Sequence, residues 1–309
     1  MNNPSLDDHV KQTIQVGSKS FAAASALFDP PTRRSVLMLY AWCRHCDDTI
    51  DDQVLGFQAK QPQSTMIEQR LADLRKQTTA AFIGETPRTP AFSALRQVIV
   101  THQLSQQFAF EHLDGYAMDV AQARYQTIEQ TLCYCYHVAG VVGLMMAQIM
   151  GAKSRDVLDR ACDLGIAFQL TNIARDIIDD ADMERCYLPE QWLAEEGLTR
   201  ENYAQPQHRS ALSRVAAKLV DHAEPYYHSS YQGLRALPFR SAWAVATARR
   251  VYRKIGQRVK QAGAGAWQQR LSTSRGEKLV LLVAAVGDVL LSRIMPITRR
   301  GASLWQRPQ

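Results

Sequence analysis

No Gly-, Ser- or Pro-rich linker divides this chain of 309 residues, and apolar periodicity resumes after every turn signal. A single domain over 1–309 is expected, with the extreme C-terminus, about 296–309, flexible. Strand signals are scarce as well: alternating β-branched runs between tight turns hardly occur, while Ala, Leu, Gln, Arg and Met dominate. The fold class is therefore all-α. No Gly-rich dinucleotide fingerprint follows a strand and no Ser nucleophile elbow is present, which argues against a nicotinamide site and a serine hydrolase. No apolar run reaches the ~20 residues that span a bilayer. The two longest, Val138 to Met150 and Leu279 to Leu291, read as core helices; Asp288 interrupts the second, which could also lie at a membrane surface.

The N-terminus, Met1-Asn2-Asn3-Pro4, lacks the charged and apolar regions of a signal peptide, so a cytoplasmic location is expected. Six cysteines, Cys43, Cys46, Cys133, Cys135, Cys162 and Cys186, then read as free thiols. Cys43 and Cys46 match C-x-x-C without a second pair at zinc spacing. The net charge of +6 hints at an anionic partner: diphosphate, membrane surface or nucleic acid. The basic residues are scattered and no nucleic-acid motif appears, so no nucleic-acid partner is expected.

Helices are expected over 5–26, 32–52, 65–83, 90–104, 106–123, 127–150, 154–182, 209–232, 238–262 and 275–295, with breakers such as Asp29-Pro30-Pro31, Gly151 and Leu237-Pro238 between them. Two of these helices carry clustered acids. Asp47 and Asp51 stack at i,i+4, as do Asp48 and Asp52. Asn172, Asp176 and Asp180 fall at i, i+4 and i+8, a drift of only about 80° around the axis. Each helix thus points oxygen ligands one way, as Mg²⁺ or Mn²⁺ requires. A merely solvated face would intersperse lysines, and neither cluster contains one; like charges at i,i+4 cost roughly 0.2–0.5 kcal/mol per pair. Arg44 and Arg175 sit beside the acids, where a guanidinium neutralises charge or grips phosphate. Gly17-Ser18-Lys19-Ser20 offers further donors, and Arg249, Arg250, Arg253 and Lys254 form a late basic strip whose plain reading is an exposed face.

Tyr134 to Met146 brings small residues, Gly140 and Gly143 among them, onto a helix with aromatic residues on one side. The glycines serve close helix packing, space for a long flat ligand, or both. Metal-held diphosphate beside an apolar, helix-lined cavity suggests polyprenyl diphosphate chemistry, in which departure of diphosphate leaves an allylic cation that Tyr134 can face.

Over nearly its whole length the sequence resembles the squalene/phytoene synthase family. Two long motifs carry the likeness: Tyr134-Cys135-Tyr136-His137-Val138-Ala139-Gly140-Val141-Val142-Gly143, and the stretch from Leu164-Gly165 through Gln169, Asn172, Arg175, Asp176 and Asp180 to Arg185-Cys186-Tyr187-Leu188-Pro189. Segments Ser18 to Phe21 and Tyr40 to Arg44 match too. The resemblance implies an isoprenoid synthase fold, with a central apolar cavity capped by two aspartate-rich helices. It implies head-to-head condensation of two geranylgeranyl diphosphates to phytoene through a cyclopropylcarbinyl diphosphate, the first committed step of carotenoid synthesis. The cofactor is Mg²⁺ or Mn²⁺, without NADPH. Metal ligands would be Asp47, Asp48, Asp51, Asp52, Asn172, Asp176 and Asp180. Substrate would meet Ser18, Lys19, Ser20, Phe21, Tyr40, Arg44, Gln169, Asn172, Arg175 and Tyr252. Catalysis would rest on Asp47, Asp51, Asp176, Asp180, Arg44, Arg175 and Tyr134.

Relatives acting on the C15 substrate carry large aromatics at the positions of Ser25 and Leu37, so these two are expected to set chain length. An apolar product and the basic residues Arg293, Arg299, Arg300 and Arg307 imply peripheral attachment to an anionic membrane surface, with neighbouring carotenoid-pathway enzymes as partners. The rival readings are a C30 squalene or dehydrosqualene synthase using farnesyl diphosphate, and a non-catalytic assembly factor of the same fold.

Overall fold

Helix boundaries follow the local chemistry of the chain. Thr89 caps the helix Pro90–His102 by accepting from the Phe92 amide, and the proline occupies a position whose N–H would be unpaired anyway. Ser154 caps Arg155–Asp182 through the Val157 amide. Ser274 and Glu277 form a reciprocal capping box on Arg275–Ile294. Gly84 and Gly151, both at φ +87°, end the helices before them in the left-handed region.

The structure, a computed structural model, describes residues 19–51 and 64–308, with side chains for 22–51 and 66–308. Among these it contains twelve α-helices and no strand: α1 Lys19–Ser25, α2 Pro30–Asp51, α3 Ser64–Ile83, α4 Pro90–His102, α5 Gln106–Val120, α6 Ile128–Cys135, α7 Val141–Ile149, α8 Arg155–Asp182, α9 Glu190–Glu195, α10 Arg209–Gly233, α11 Phe239–Ala262 and α12 Arg275–Ile294. All ten expected helices are represented, and the short α9 was not anticipated. The fold is all-α, the isoprenoid synthase architecture.

α8 has no single apolar face; its buried residues, from Arg160 to Ile177, pack on α7, α10 and α11. Its approach to α7 is close enough to require glycine. A Cβ on Gly143 would stand 2.3 Å from the Ala161 carbonyl oxygen, and one on Gly165 would stand 2.2 Å from the Ala139 oxygen. Gly143 serves close packing and also lines the cavity described below, so both roles open to glycine in this motif are compatible with its place.

The expected helix 127–150 is continuous but changes register. Tyr136–Gly140 forms a π-helical turn between α6 and α7. Such a turn inserts a residue into the helical register, and consecutive Val138 and Ala139 both reach the cavity described below. With it, Ile128–Ile149 is the one described helix long and apolar enough to cross a membrane, by length and composition. It packs on α5, α8 and α2, as an interior helix does.

The late basic strip is structural. Buried Arg249 donates to the Tyr227 carbonyl, Arg250 forks onto Asp288, and Arg253 pairs with Glu224. The segment after α12, expected to be flexible, is pinned instead. Arg300 grips the buried carboxylate of Asp163, Arg307 pairs with Asp159, and the Trp305 amide donates to the Tyr226 hydroxyl. Arg300 and Arg307 are therefore committed to internal pairs, which corrects their assignment to a lipid surface; Arg293 and Arg299 remain exposed.

Candidate active site

A cavity of about 1520 Å³ opens between α2, α5, α6–α8 and α11. That exceeds the roughly 300–1,000 Å³ of pockets that take one small molecule. One end is polar. There α2 presents Tyr40, Arg44, Asp47 and Asp51, and α8 presents Gln169, Asn172, Arg175, Asp176 and Asp180. The helical spacing anticipated from sequence thus brings both acidic rows to one space. Tyr134 and Tyr252 line the same cavity. Away from these residues the wall is mainly apolar, with Phe28, Val36, Val142, Met146, Leu164 and Leu237, although Arg160, Ser230 and the stretch Ser272 to Arg275 also line it.

Asp48 departs from the expectation. It does not line the cavity and is held by Arg44 at 3.0 Å, because its position one residue on turns it about 100° from Asp47. Asp52 and Ser18 lie outside the described residues, as do the side chains of Lys19, Ser20 and Phe21. Ser25 and Leu37, the two positions tied to chain length, are buried but do not line the cavity. Their neighbours Ala24 and Val36 do.

Arginines answer the aspartates at the polar end. Arg44 reaches Asp47 at 2.8 Å, Arg175 forks onto Asp176, Arg270 approaches Asp176 at 3.5 Å, and Arg185 pairs with Asp51. The carboxylates nonetheless crowd one another. Burial, then Asp51 beside it, pushes the Asp47 carboxyl up to about 7. Burial and then Asp176 raise Asp180 well above the carboxylate range.

Among the described residues, no three carboxylate, imidazole or thiol groups converge closely enough to hold an ion by themselves. The donor set nonetheless fits a hard divalent cation. Asn172 Oδ1 is buried without a hydrogen-bond partner, an acceptor in want of a donor or a metal. With Asp47, Asp51, Asp176 and Asp180 it makes an all-oxygen set, and the adjoining guanidinium groups can exchange carboxylate for phosphate.

Residues missed by sequence reasoning complete the site. Asp119, at the end of α5, accepts from the hydroxyls of Tyr134 (3.3 Å) and Tyr187 (3.0 Å). Burial raises its carboxyl to about 6, against the pull of Arg185. Tyr116 and His112 also line the cavity and hydrogen-bond each other at 3.2 Å. Phe168 stacks on Tyr252 with centroids 4.3 Å apart. Asp119 gave no sequence signal because it stands alone, without an acidic partner at helical spacing. Arg185 and Tyr187 lay within the second motif without an assigned role.

Residues 14–277 match the squalene/phytoene synthase family. The chain is 62% identical over 308 residues to the 15-cis-phytoene synthase of Pantoea ananas, covering 100% of both chains. To the 15-cis-phytoene synthase of Paracoccus sp. (strain N81106 / MBIC 01143) it is 47% identical over 300 residues, 96% of each. Among solved structures it superposes on a dehydrosqualene synthase bound to a ligand, with a TM-score of 0.81 and 26% identity, over 91% of this chain and 95% of that one. A squalene synthase from Alicyclobacillus acidocaldarius shares the fold at a TM-score of 0.71 and 23% identity, over 84% of this chain and 97% of that one. A largely apolar cavity in which two aspartate rows face each other at one end is thus joined to full-length likeness: the chain belongs to the squalene/phytoene synthase family.

Proposed function

We infer that the protein is a prenyltransferase that joins two geranylgeranyl diphosphates head to head and releases phytoene, ending by proton loss without NADPH. The observation that carries this reading is the cavity: about 1520 Å³, largely apolar and with two facing acidic rows at one end. Two C20 chains need such a volume, and their diphosphates need such an end. The identity to phytoene synthases, far above that to the C15-using neighbours, favours the C20 substrate.

Asp47, Asp51, Asn172, Asp176 and Asp180 would hold Mg²⁺ or Mn²⁺, which when bound neutralises the departing diphosphate as a Lewis acid. Arg44 and Arg175 orient the phosphates by their forks. Tyr40, Gln169 and Tyr252, which line the cavity beside them, position the first carbons of the chains. Tyr134 turns its ring toward the cavity, where its quadrupole stabilises the allylic and cyclopropylcarbinyl cations, and the apolar wall excludes water from them. Ser18, Lys19, Ser20 and Phe21 would add to the substrate-binding set, the hydroxyls and the ammonium toward phosphate and the phenyl ring toward the chain. Because the product is a hydrocarbon, the enzyme works at an anionic membrane surface, beside the pathway enzymes that take phytoene onward.

Incubation of the purified protein with C15 or C20 diphosphate, with and without NADPH, tests the reading. Phytoene from the C20 substrate, unaffected by NADPH, is expected. Faster formation of a C30 product from farnesyl diphosphate overturns it.

A further inference from the structure

The outer face of α12 is unpartnered and apolar. Leu279, Val280, Val283, Leu290, Leu291 and Ile294 are between 49% and 78% exposed. At 100° per residue these six, with Gly276 and Gly287, fall within an arc of about 120°. No charged residue lies on that arc. Single exposed apolar residues are ordinary, but a continuous stripe along five turns marks an interaction site.

The acids of this helix are neutralised inward. Asp288 is buried and forked by Arg250, while Glu277 caps the helix and pairs with Arg258. Exposed cations flank the stripe instead. Arg275 and Arg293 stand on the same edge at opposite ends, 18 residues and so about 27 Å apart along the axis, and exposed Arg299 follows the helix. An apolar stripe edged by arginines, with no free carboxylate, complements anionic headgroups over acyl chains.

The inner face of the same helix closes the molecule near the cavity. Ala285 and Val289 pack with Leu234 and Leu237, and the latter two line the cavity's apolar wall. Thus one helix thickness, about 10 Å, separates the cavity from the outer stripe.

We propose that the outer face of α12 docks in the headgroup–acyl boundary of an anionic bilayer, bringing the apolar wall of the cavity alongside the lipid that receives the product. The part concerning product rests on the hydrocarbon-forming reaction inferred above; the docking itself does not. A second copy of the chain is the competing occupant. The flanking arginines disfavour it, since a symmetric pairing would bring like charges together.

Flotation with phosphatidylglycerol/phosphatidylethanolamine vesicles at low salt, alongside turnover in detergent micelles, tests the proposal. The wild-type chain should float with these vesicles, and raising the salt should weaken binding. The double variant Val283→Glu/Leu290→Glu should bind at least about tenfold more weakly, since it places two charges at the acyl boundary, while its turnover in micelles stays at the wild-type level. Arg293→Glu should weaken low-salt binding roughly five- to tenfold. If the double variant floats like wild type, a different face docks and this assignment is wrong, though peripheral attachment survives. Failure of the wild-type chain to float at all overturns both. A wild-type dimer that the double variant dissolves, with flotation unchanged, would assign the face to self-association instead. Phytoene formation in micelles is read separately, so failure of the reaction is not mistaken for failure of docking.

Discussion

The ring of Tyr134 lies nearly flat on that of Tyr187, with centroids 4.5 Å apart and planes 16° from parallel, and both hydroxyls end on the carboxylate of Asp119. A ring that must face a cation is thereby held at its edge and at its back. Tyr134→Phe keeps the face and loses the tether, so kcat should fall roughly tenfold, about the worth of one hydrogen bond to a charged group. Tyr134→Ala loses both and should fall considerably further. Steady-state kinetics on the two variants check this; equal losses would show that the ring face contributes nothing.

Removal of an oxygen from either acidic row should abolish turnover and leave the helices intact. For Asp47→Ala and Asp176→Ala, circular dichroism should match wild type while activity disappears. Asn172→Ala is the finer probe. It removes a buried acceptor, Oδ1, that has no partner in the protein, so the fold loses only the long Nδ2 bond to Gln169 and the Mg²⁺ concentration giving half-maximal rate should rise at least tenfold, about 1.4 kcal/mol. Metal titration of turnover checks it.

Chain length should respond at Ala24 and Val36. Filling the cavity with Ala24→Phe or Val36→Phe should suppress C20 condensation more than C15 condensation. The five carbons that distinguish the substrates carry up to about 4 kcal/mol of burial at ~0.8 per CH₂. Ser25→Phe should instead overpack the core, where Ser25 is 1% exposed and its hydroxyl donates to the Ala22 carbonyl, lowering stability without a selective shift. Product ratios from mixed substrates, with denaturation midpoints, separate the two outcomes.

His112 should make the protein acid-sensitive. It is fully buried, and burial holds its pKa down to about 4 from 6.5. The unfolded chain therefore takes up a proton below pH 6.5 that the folded chain refuses until about pH 4. Stability contributed at neutral pH falls as pH drops through that window, by up to about 3 kcal/mol. Urea denaturation of wild type and His112→Gln at pH 7 and pH 4.5 should show the variant losing less on acidification.

Arg300→Ala should destabilise by about 3–5 kcal/mol, because it strands a buried carboxylate. Asp163 is fully buried and would keep only the Ser229 hydroxyl. The denaturation midpoint reports the loss.

The sequence made most of this legible where periodicity carries the information. Both acidic rows, their arginines and ten helices follow from residue spacing, and the long motifs located the family. What stayed hidden depends on distance between elements. Asp119 matters because Tyr134 and Tyr187 reach it from elsewhere in the chain, which no spacing reveals. The π turn at Tyr136–Gly140 breaks no composition rule, and α9 is too short to display a period. Arg300 and Arg307 look like any basic tail until Asp163 and Asp159 are placed beneath them. That Ala24 and Val36 rather than Ser25 and Leu37 line the cavity reflects how sharply a helix rotates: neighbours point about 100° apart.

The touching backbones of α7 and α8 make one side of the reaction chamber incompressible. Where Gly143 and Gly165 lie against opposing carbonyls, neither helix can approach further or accept a larger side chain. Any change in bore must then come from exchanged side chains, Val142, Met146 and Leu164 on these helices or those of α1, α2 and α11 across the chamber. A relative that evolves toward another product, or an engineer attempting the same, can reshape the lining but not move that seam.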